Sequence, residues 1–247
     1  MITPDVAFQQ AANAAAAVYE QAPPWITYRT TAHVEVKSLN RRTDVMRAVE
    51  ARTRDDLAIM QDLPKGATRI GHAFPILPTF DALSYFRLVG TGGPHNALDS
   101  YVTDVRPLRF TAGNEANSGA DVVVTNLKYY YAQYAPDSSD DPNGKTHILL
   151  RPLQTLLRDY RGNLFFSELV IDNQTHLPSR VVFTGLNDRK FVVDYVMVQD
   201  HWVVNHAFYE ETEYGPLHIG RIHFTVDATF DDFGFPQTPP DPRLAQQ

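Results

Sequence analysis

The hydrophobic pattern between residues 147 and 180 is the clearest in the chain, and it predicts consecutive strands. Two apolar runs are followed by a polar turn and a third apolar run, which is typical of antiparallel strands joined by tight connections. The predicted elements are a strand at 147–152, a strand at 163–172, a turn at Asp172-Asn173 and a strand that restarts at Leu177-Pro178.

Alternation within the second of these strands assigns its side chains to the two faces of a sheet. One predicted face carries Leu164, Phe166 and Glu168, and the other carries mostly Phe165, Leu169 and Ile171.

The rest of the chain adds a helix and further strands. Thr3 and Pro4 suit the start of a helix that is rich in Ala, and Pro23-Pro24 ends it near Gln21. Residues 80–89 have helical spacing, and a Gly-rich turn follows them. Further strands are predicted at Trp25–Val36, 43–51, 54–63, 101–110, 120–135, 181–183, 191–198, 201–213 and 217–228.

These elements define a mainly β protein with roughly ten or eleven antiparallel strands, one N-terminal helix and one or two short central helices. Neither an internal repeat nor a domain boundary is visible. We therefore predict a single β domain at 1–235, followed by a Pro-rich C-terminal tail at 236–247.

Composition narrows the possible functions. A net charge of −7 and a pI near 5.7 argue against nucleic acid as a partner, because such proteins usually carry a basic footprint. The chain has no cysteine, which excludes disulfides, thiolate metal sites and a cysteine nucleophile. It also lacks an apolar run of the length that an integral membrane segment needs.

The N-terminus leaves the cellular location open between two interpretations. Residues 1–5 resemble the start of a mature domain with an added Met, so an export signal would have been removed from a periplasmic or cell-envelope protein. The alternative is a cytosolic protein with its natural N-terminus.

Catalytic and metal motifs are weak. Offsets of five residues place His201 and His206 on opposite faces of a strand, so they cannot share a metal unless a bulge intervenes. His201 with His223, or His206 with His218, could still meet across a hairpin. We expect no metal site and no cofactor. The loop at 137–144 lacks the closing Glu of a calcium-binding EF-hand, because Leu150 stands there. Glu211 and Glu213 share a face, and a wet strand surface is the common reason for such a pair.

The segments at 147–152, 163–172 and 173–180 resemble the middle of the LolA/LolB-like family of lipoprotein-sorting carriers. In that family, a strand ending in Ile-Asp leads through a polar turn and Leu-Pro into the next strand, as at Ile171-Asp172 and Leu177-Pro178. The resemblance implies a strongly curved antiparallel sheet that forms an incomplete barrel, with the N-terminal helix and short helices covering the concave face. It also implies an apolar cavity for a lipid or acyl chain.

Apolar and aromatic residues would line that cavity, because ligand pockets are mostly apolar. The same residues could instead fill a solid core, and the sequence does not separate the two. Residues 74–88 are the candidate lid, and their alternative is a fixed helix packed on the sheet. The expected ligand-binding residues are Trp25, Phe74, Leu77, Phe80, Leu83, Phe86, Tyr129, Tyr131, Phe166 and Trp202.

The resemblance thus implies a periplasmic or cell-envelope carrier or sensor of a lipid or lipoprotein acyl chain, and a non-enzyme is favoured. One alternative is a small-molecule enzyme on the same sheet. The other is a structural or regulatory envelope domain that binds another protein through a sheet edge. The candidates for catalysis in the enzyme alternative are His33, Glu35, Glu168, His206 and Glu211.

Overall fold

The computed structural model describes one N-terminal helix and one large sheet. It describes residues 2–21, 23–36, 39–50, 57–62, 67–72, 122–123, 127, 130–154, 157, 164–185, 188–214 and 221–238. The elements are α1 (Pro4–Glu20), β1 (Trp25–Val36), β2 (Leu39–Glu50), β3 (Leu57–Asp62), β4 (Ala67–His72), β5 (Val122–Val123), β6 (Tyr130–Tyr134), β7 (Lys145–Pro152), β8 (Leu164–Asp172), β9 (Pro178–Thr184), β10 (Lys190–Val198), β11 (His201–Tyr214) and β12 (Arg221–Gly234).

The sheet is antiparallel along its whole main path and is not closed. Its strand order is β4-β3-β2-β1-β12-β11-β10-β9-β8-β7-β6, while the short β5 pairs in parallel with β8 off this path. Among the described residues, β4 and β6 end the path and do not pair with each other. The predicted mainly β fold with an open antiparallel sheet and an N-terminal helix is therefore confirmed.

Helix α1 covers one face of this sheet, which we call the inner face. Ala7, Ala11 and Ala15 recur every four residues and are buried with Phe8, as expected of an amphipathic helix. The Phe8 ring lies 5.5 Å from the ring of Phe166 on β8, at an interplanar angle of 69°. Its small alanine side chains let the helix backbone lie close to the strands.

A row of four aromatic rings crosses the inner face on neighbouring strands. Strand register pairs Phe166 with Phe183, Phe183 with Phe191, and Phe191 with Tyr209, and paired residues share a face. Successive ring centroids are 5.0, 6.0 and 6.4 Å apart, within the range of favourable aromatic pairs. We call Phe166, Phe183, Phe191 and Tyr209 the aromatic row; each is at most 3% exposed.

A second inner-face row lies beside the first and is made of aliphatic side chains. Its members pair across consecutive strands and are all buried. They are Ile148, Leu169, Val181, Val193, Ala207, Ala228 and Ala32. The two rows form the centre of the hydrophobic core.

Two strand predictions are wrong for identifiable reasons. In β8, Phe166 pairs with Phe183 but Glu168 pairs with Val182, so a bulge adds one residue and reverses the alternation. Phe166 and Leu169 therefore share the inner face, and Glu168 lies on the opposite, outer face. The predicted single strand at 120–135 is instead split into β5 and β6, with Leu127 in a helical turn between them.

Some other boundaries agree closely with the prediction, whereas β4 lies in a segment where no strand was predicted. Strand β1 has the predicted bounds, and the turn at Gln199-Asp200 has positive φ at both residues (49° and 64°), as in tight hairpins. Strand β12 continues to Gly234, beyond the predicted end at 228. The predicted strand at 101–110 and helix at 80–89 lie outside the described residues, and the domain bounds 1–235 and 236–247 stay predictions.

Asn173 joins two neighbouring turns at one end of the sheet. Its amide nitrogen donates to the carbonyls of Ser139 and Asp141 at 2.8 and 2.7 Å, in the β6–β7 loop. Its side-chain oxygen accepts from the Thr146 hydroxyl at 2.7 Å. This loop, which lacks the closing Glu of an EF-hand, is thus ordered by protein hydrogen bonds.

We expect Asn173→Ala to lower the free energy of unfolding by about 2 kcal/mol, because two loop carbonyls lose their donor. Gln174→Ala is the matched control: its side chain is exposed, and we expect a change within about 0.5 kcal/mol. Urea unfolding of both variants measures the difference. Equal stabilities would show that Asn173 does not hold the two turns together.

Candidate functional site

The inner face combines the aromatic row with one buried ion pair. Arg189, in the turn before β10, and Glu211, on β11, have side chains only 10% and 7% exposed. Their Nε and Oε1 atoms lie 3.1 Å apart. Glu211 is two residues after Tyr209 and shares its face, so the pair lies at the β11 end of the aromatic row.

Tyr209 connects the ion pair to the apolar row. Its hydroxyl donates to Glu211 Oε2, and it accepts from Nε and Nη2 of Arg189, both at 3.3 Å. Burial raises the pKa of Tyr209 above its ordinary value; Arg189 opposes this rise and Glu211 adds to it. The phenol is therefore neutral at physiological pH and able to donate its hydrogen bond. We call Arg189, Glu211 and Tyr209 the polar cluster.

The outer face carries a separate ionic network across four adjacent strands. Arg180 on β9 binds both carboxylate oxygens of Asp194 on β10, at 2.5 and 3.1 Å. His206 on β11 lies between two carboxylates: Nδ1 is 2.9 Å from Asp194, and Nε2 is 3.0 Å from Asp227 on β12. Both imidazole nitrogens donate only in the protonated form, so this geometry favours the charged ring.

This network predicts a stability that falls with rising pH. The hydrogen bond to Asp194 is the largest cause that raises the pKa of His206; burial opposes it, and Asp227 adds to the rise. Stabilisation by a group with a raised pKa is complete below its unfolded value and is lost as the pH rises through the folded value. We therefore expect the urea midpoint to fall as the pH rises above about 6.5, the ordinary pKa of histidine, and to fall less in His206→Gln.

His176→Asn is the control for that experiment, because His176 is exposed, and its positive φ of 58° suits Asn. It should retain the pH dependence of the parent protein. An identical pH slope in His206→Gln and the parent would show that the outer network does not couple proton binding to folding. Asp194 does not titrate in this pH range. Burial raises its pKa, but the hydrogen bonds from His206 and Arg180 outweigh burial, so the pKa of Asp194 is lowered.

The structure brings only some of the predicted ligand-binding residues together. Phe166 lies in the aromatic row, and Trp202 is buried in the same core, where its ring stacks on Tyr195 at 4.6 Å and its Nε1 donates to the Pro178 carbonyl at 3.0 Å. Trp25 precedes the buried Ile26 on a regular strand, so it lies on the outer face.

Tyr131 is also separated from the inner residues. It alternates with Ala132, which packs against the core, and its side chain is 60% exposed. The remaining predicted residues, and the candidate lid, lie outside the described residues: Phe74, Leu77, Phe80, Leu83, Phe86 and Tyr129.

Several inner-face residues were missed by the sequence analysis. Phe183 and Phe191 pair across the β9–β10 hairpin, and their near-symmetric placement about the turn at 185–189 is the signal that could have revealed them. Arg189 gave no such signal, because its place depends on how a turn packs against the sheet.

The catalytic candidates are divided between the faces. Glu211 is on the inner face and is bound by Arg189. Register places the others, His33, Glu35, Glu168 and His206, on the outer face. Within the described part of the chain, no three acidic or histidine side chains converge as metal ligands.

Comparisons with known proteins identify similar chain folds. One similar structure is a DUF1329 family protein from Desulfovibrio piger, with a TM-score of 0.45 and 10% identity. The match covers 99% of this chain and 98% of that protein. Another is a putative outer membrane lipoprotein-sorting protein domain from Vibrio parahaemolyticus, with a TM-score of 0.43 and 10% identity. The match covers 97% of each chain. A third match is the Pseudomonas aeruginosa MucA/MucB complex, at 93% and 94% coverage, 10% identity and a TM-score of 0.26.

A lipoprotein-sorting protein domain, the class that the sequence resembles, is thus among the structural neighbours. No family model and no curated protein matches the sequence. At 10% identity and TM-scores below 0.5, the neighbours carry no argument about what this chain binds. Within the described residues, no helix has both the length and the hydropathy that crossing a bilayer requires.

Proposed function

We propose that this protein binds a lipid or lipoprotein acyl chain on the inner face of its sheet and acts as a carrier or sensor in the cell envelope. The observation that carries the proposal is the aromatic row, an unbroken and buried apolar layer across four neighbouring strands of an open sheet. An open sheet can admit a chain along such a row when a covering element moves aside.

The energetics of chain burial fit this site. Each buried CH₂ group contributes about 0.8 kcal/mol, so an acyl chain of moderate length gains strong gross affinity from apolar contact alone. Part of that gain is offset by the cost of immobilising the chain and of displacing whatever covers the row.

Helix α1 is the cover that the described residues offer at the β8 end of the row. Apart from Phe8, its buried face consists of alanines, which bury little area each, and Tyr134 holds its start through one hydrogen bond to the Ile2 carbonyl at 2.6 Å. Displacement of α1 by an acyl chain would open the β8 end of the row.

The alternatives have less support. Four of the five catalytic candidates face outward, away from the apolar surface. An inner face without polar groups would favour a purely structural domain. The inner face of this protein contains the charged side chains of Arg189 and Glu211.

The test is mass spectrometry of an organic extract of natively purified protein, followed by titration with a fluorescent fatty acid and its methyl ester. We expect a stoichiometric co-purified lipid, or saturable binding of at least one probe after delipidation. An empty extract together with no saturable binding of either probe would overturn the proposal.

A further inference from the structure

The polar cluster is unusual because it places two opposite charges inside an apolar face. Glu211 is 7% exposed and Arg189 is 10% exposed, and both contact the Tyr209 hydroxyl. A buried ion pair adds little to stability compared with a pair of apolar side chains of similar volume. Stability alone therefore does not explain why charges occupy this position.

The position of the polar cluster at one end of the aromatic row sets the orientation of an acyl chain that binds there. Tyr209 is the last ring of the row on β11, and its hydroxyl is part of the cluster. The other end of the row, at Phe166, packs against the apolar Phe8. An acyl chain that lies along the row therefore has an apolar end at α1 and a polar end at Arg189 and Glu211.

The charge of the cluster determines which head group fits there. The guanidinium of Arg189 and the carboxylate of Glu211 neutralise each other across 3.1 Å. A ligand carboxylate would bring a second negative charge beside Glu211 in a site shielded from water, which costs free energy. An ester carbonyl accepts hydrogen bonds without adding a charge.

We infer that the Arg189–Glu211–Tyr209 cluster is the polar end of the ligand site and selects acyl chains whose head group is uncharged, such as esters, over free fatty acids. This inference rests on the proposed function. Glu211 is the residue that sets specificity, since it repels a ligand carboxylate, and Arg189 is the donor to the carbonyl. No bond is made or broken.

Two probes with the same fluorescent chain and different head groups test this: cis-parinaric acid and its methyl ester. Each is titrated into the delipidated protein at about pH 8.5, where the acid is ionised. The parent protein should bind the ester about tenfold more tightly than the acid. Glu211→Gln leaves the positive Arg189 unneutralised, so the preference should shift toward the acid by about tenfold or more. Arg189→Gln should shift it further toward the ester.

Glu168→Gln is the matched control, because it makes the same change to a carboxylate on the outer face. It should leave the ratio of the two affinities unchanged. Circular dichroism and urea unfolding verify that each variant is folded; if Glu211→Gln does not fold, Tyr209→Phe, which keeps both charges but removes the phenol, should weaken ester binding about threefold or more without reversing the preference.

The outcomes separate the two proposals. Binding of both probes with the same ratio in the parent protein, in every folded cluster variant and in the control would overturn the head-group inference and leave acyl-chain binding in place. A parent protein that prefers the acid would also overturn it. Saturable binding of neither probe would overturn the proposed function itself.

Discussion

Phe183→Ala is expected to lower the free energy of unfolding by about 3–5 kcal/mol, the range for removing a large aromatic side chain from a core. Phe183 is 0% exposed and lies at the centre of the aromatic row, with ring contacts to Phe166 at 5.0 Å and Phe191 at 6.0 Å. Its removal leaves a cavity between strands β8 and β10, which the paired backbones cannot close. Both ring contacts are lost together.

Urea unfolding monitored by circular dichroism measures the loss. Tyr131→Ala is the matched control, since it also removes an aromatic ring, but from a side chain that is 60% exposed. We expect the control to change stability by less than about 1 kcal/mol. Similar losses in the two variants would mean that the inner face is not a packed core centred on Phe183.

Arg189→Met is expected to cost about 3–5 kcal/mol, because it leaves the buried Glu211 carboxylate without its cation. Adding Glu211→Leu should recover most of the lost stability, since an apolar pair avoids burying either charge. The double variant is thus expected to be more stable than Arg189→Met alone.

A double-mutant cycle from urea midpoints measures this coupling. Arg180→Met is the comparison, because Arg180 also pairs with a carboxylate, but its side chain is 50% exposed. Its cost should be much smaller, since exposed pairs contribute little. A double variant no more stable than Arg189→Met would show that the charges stabilise the fold rather than being tolerated for binding.

Local signals predicted the regular parts of the fold well. Trp25–Val36 is rich in residues that favour strands, and the structure has a strand with those bounds. The N-terminal Thr3-Pro4 start and the Pro23-Pro24 stop likewise bracket α1. In these segments, local propensity and tertiary packing favour the same conformation.

Bulges account for much of what the sequence did not reveal. The extra residue between Phe166 and Glu168 reverses the faces of β8. A second bulge, at Asn205 on β11, has the same effect and places His201 and His206 on the same face by register, not on the opposite faces expected of a regular strand. A bulge depends on how two strands fit together, so a single strand pattern does not contain it.

The site was only partly predictable, because some of its contacts depend on how strands pair. Glu211 was a candidate because of its position in a strand, and Phe166 because of its aromatic ring, and both lie on the inner face. Arg189 belongs to a turn, and the pairing of β10 with β11 brings it to within 3.1 Å of Glu211. That contact depends on the long-range register between β10 and β11.

The most direct test of acyl-chain binding on the inner face is photo-crosslinking with a diazirine-bearing fatty acid and its methyl ester, followed by mapping of the labelled peptides. We expect saturable labelling of inner-face positions on β8 to β11, including the peptides that contain Phe166, Phe183 and Phe191, and competition by the unlabelled lipid. Labelling confined to outer-face residues such as Tyr131, or labelling that unlabelled lipid does not reduce, would contradict acyl-chain binding at the aromatic row.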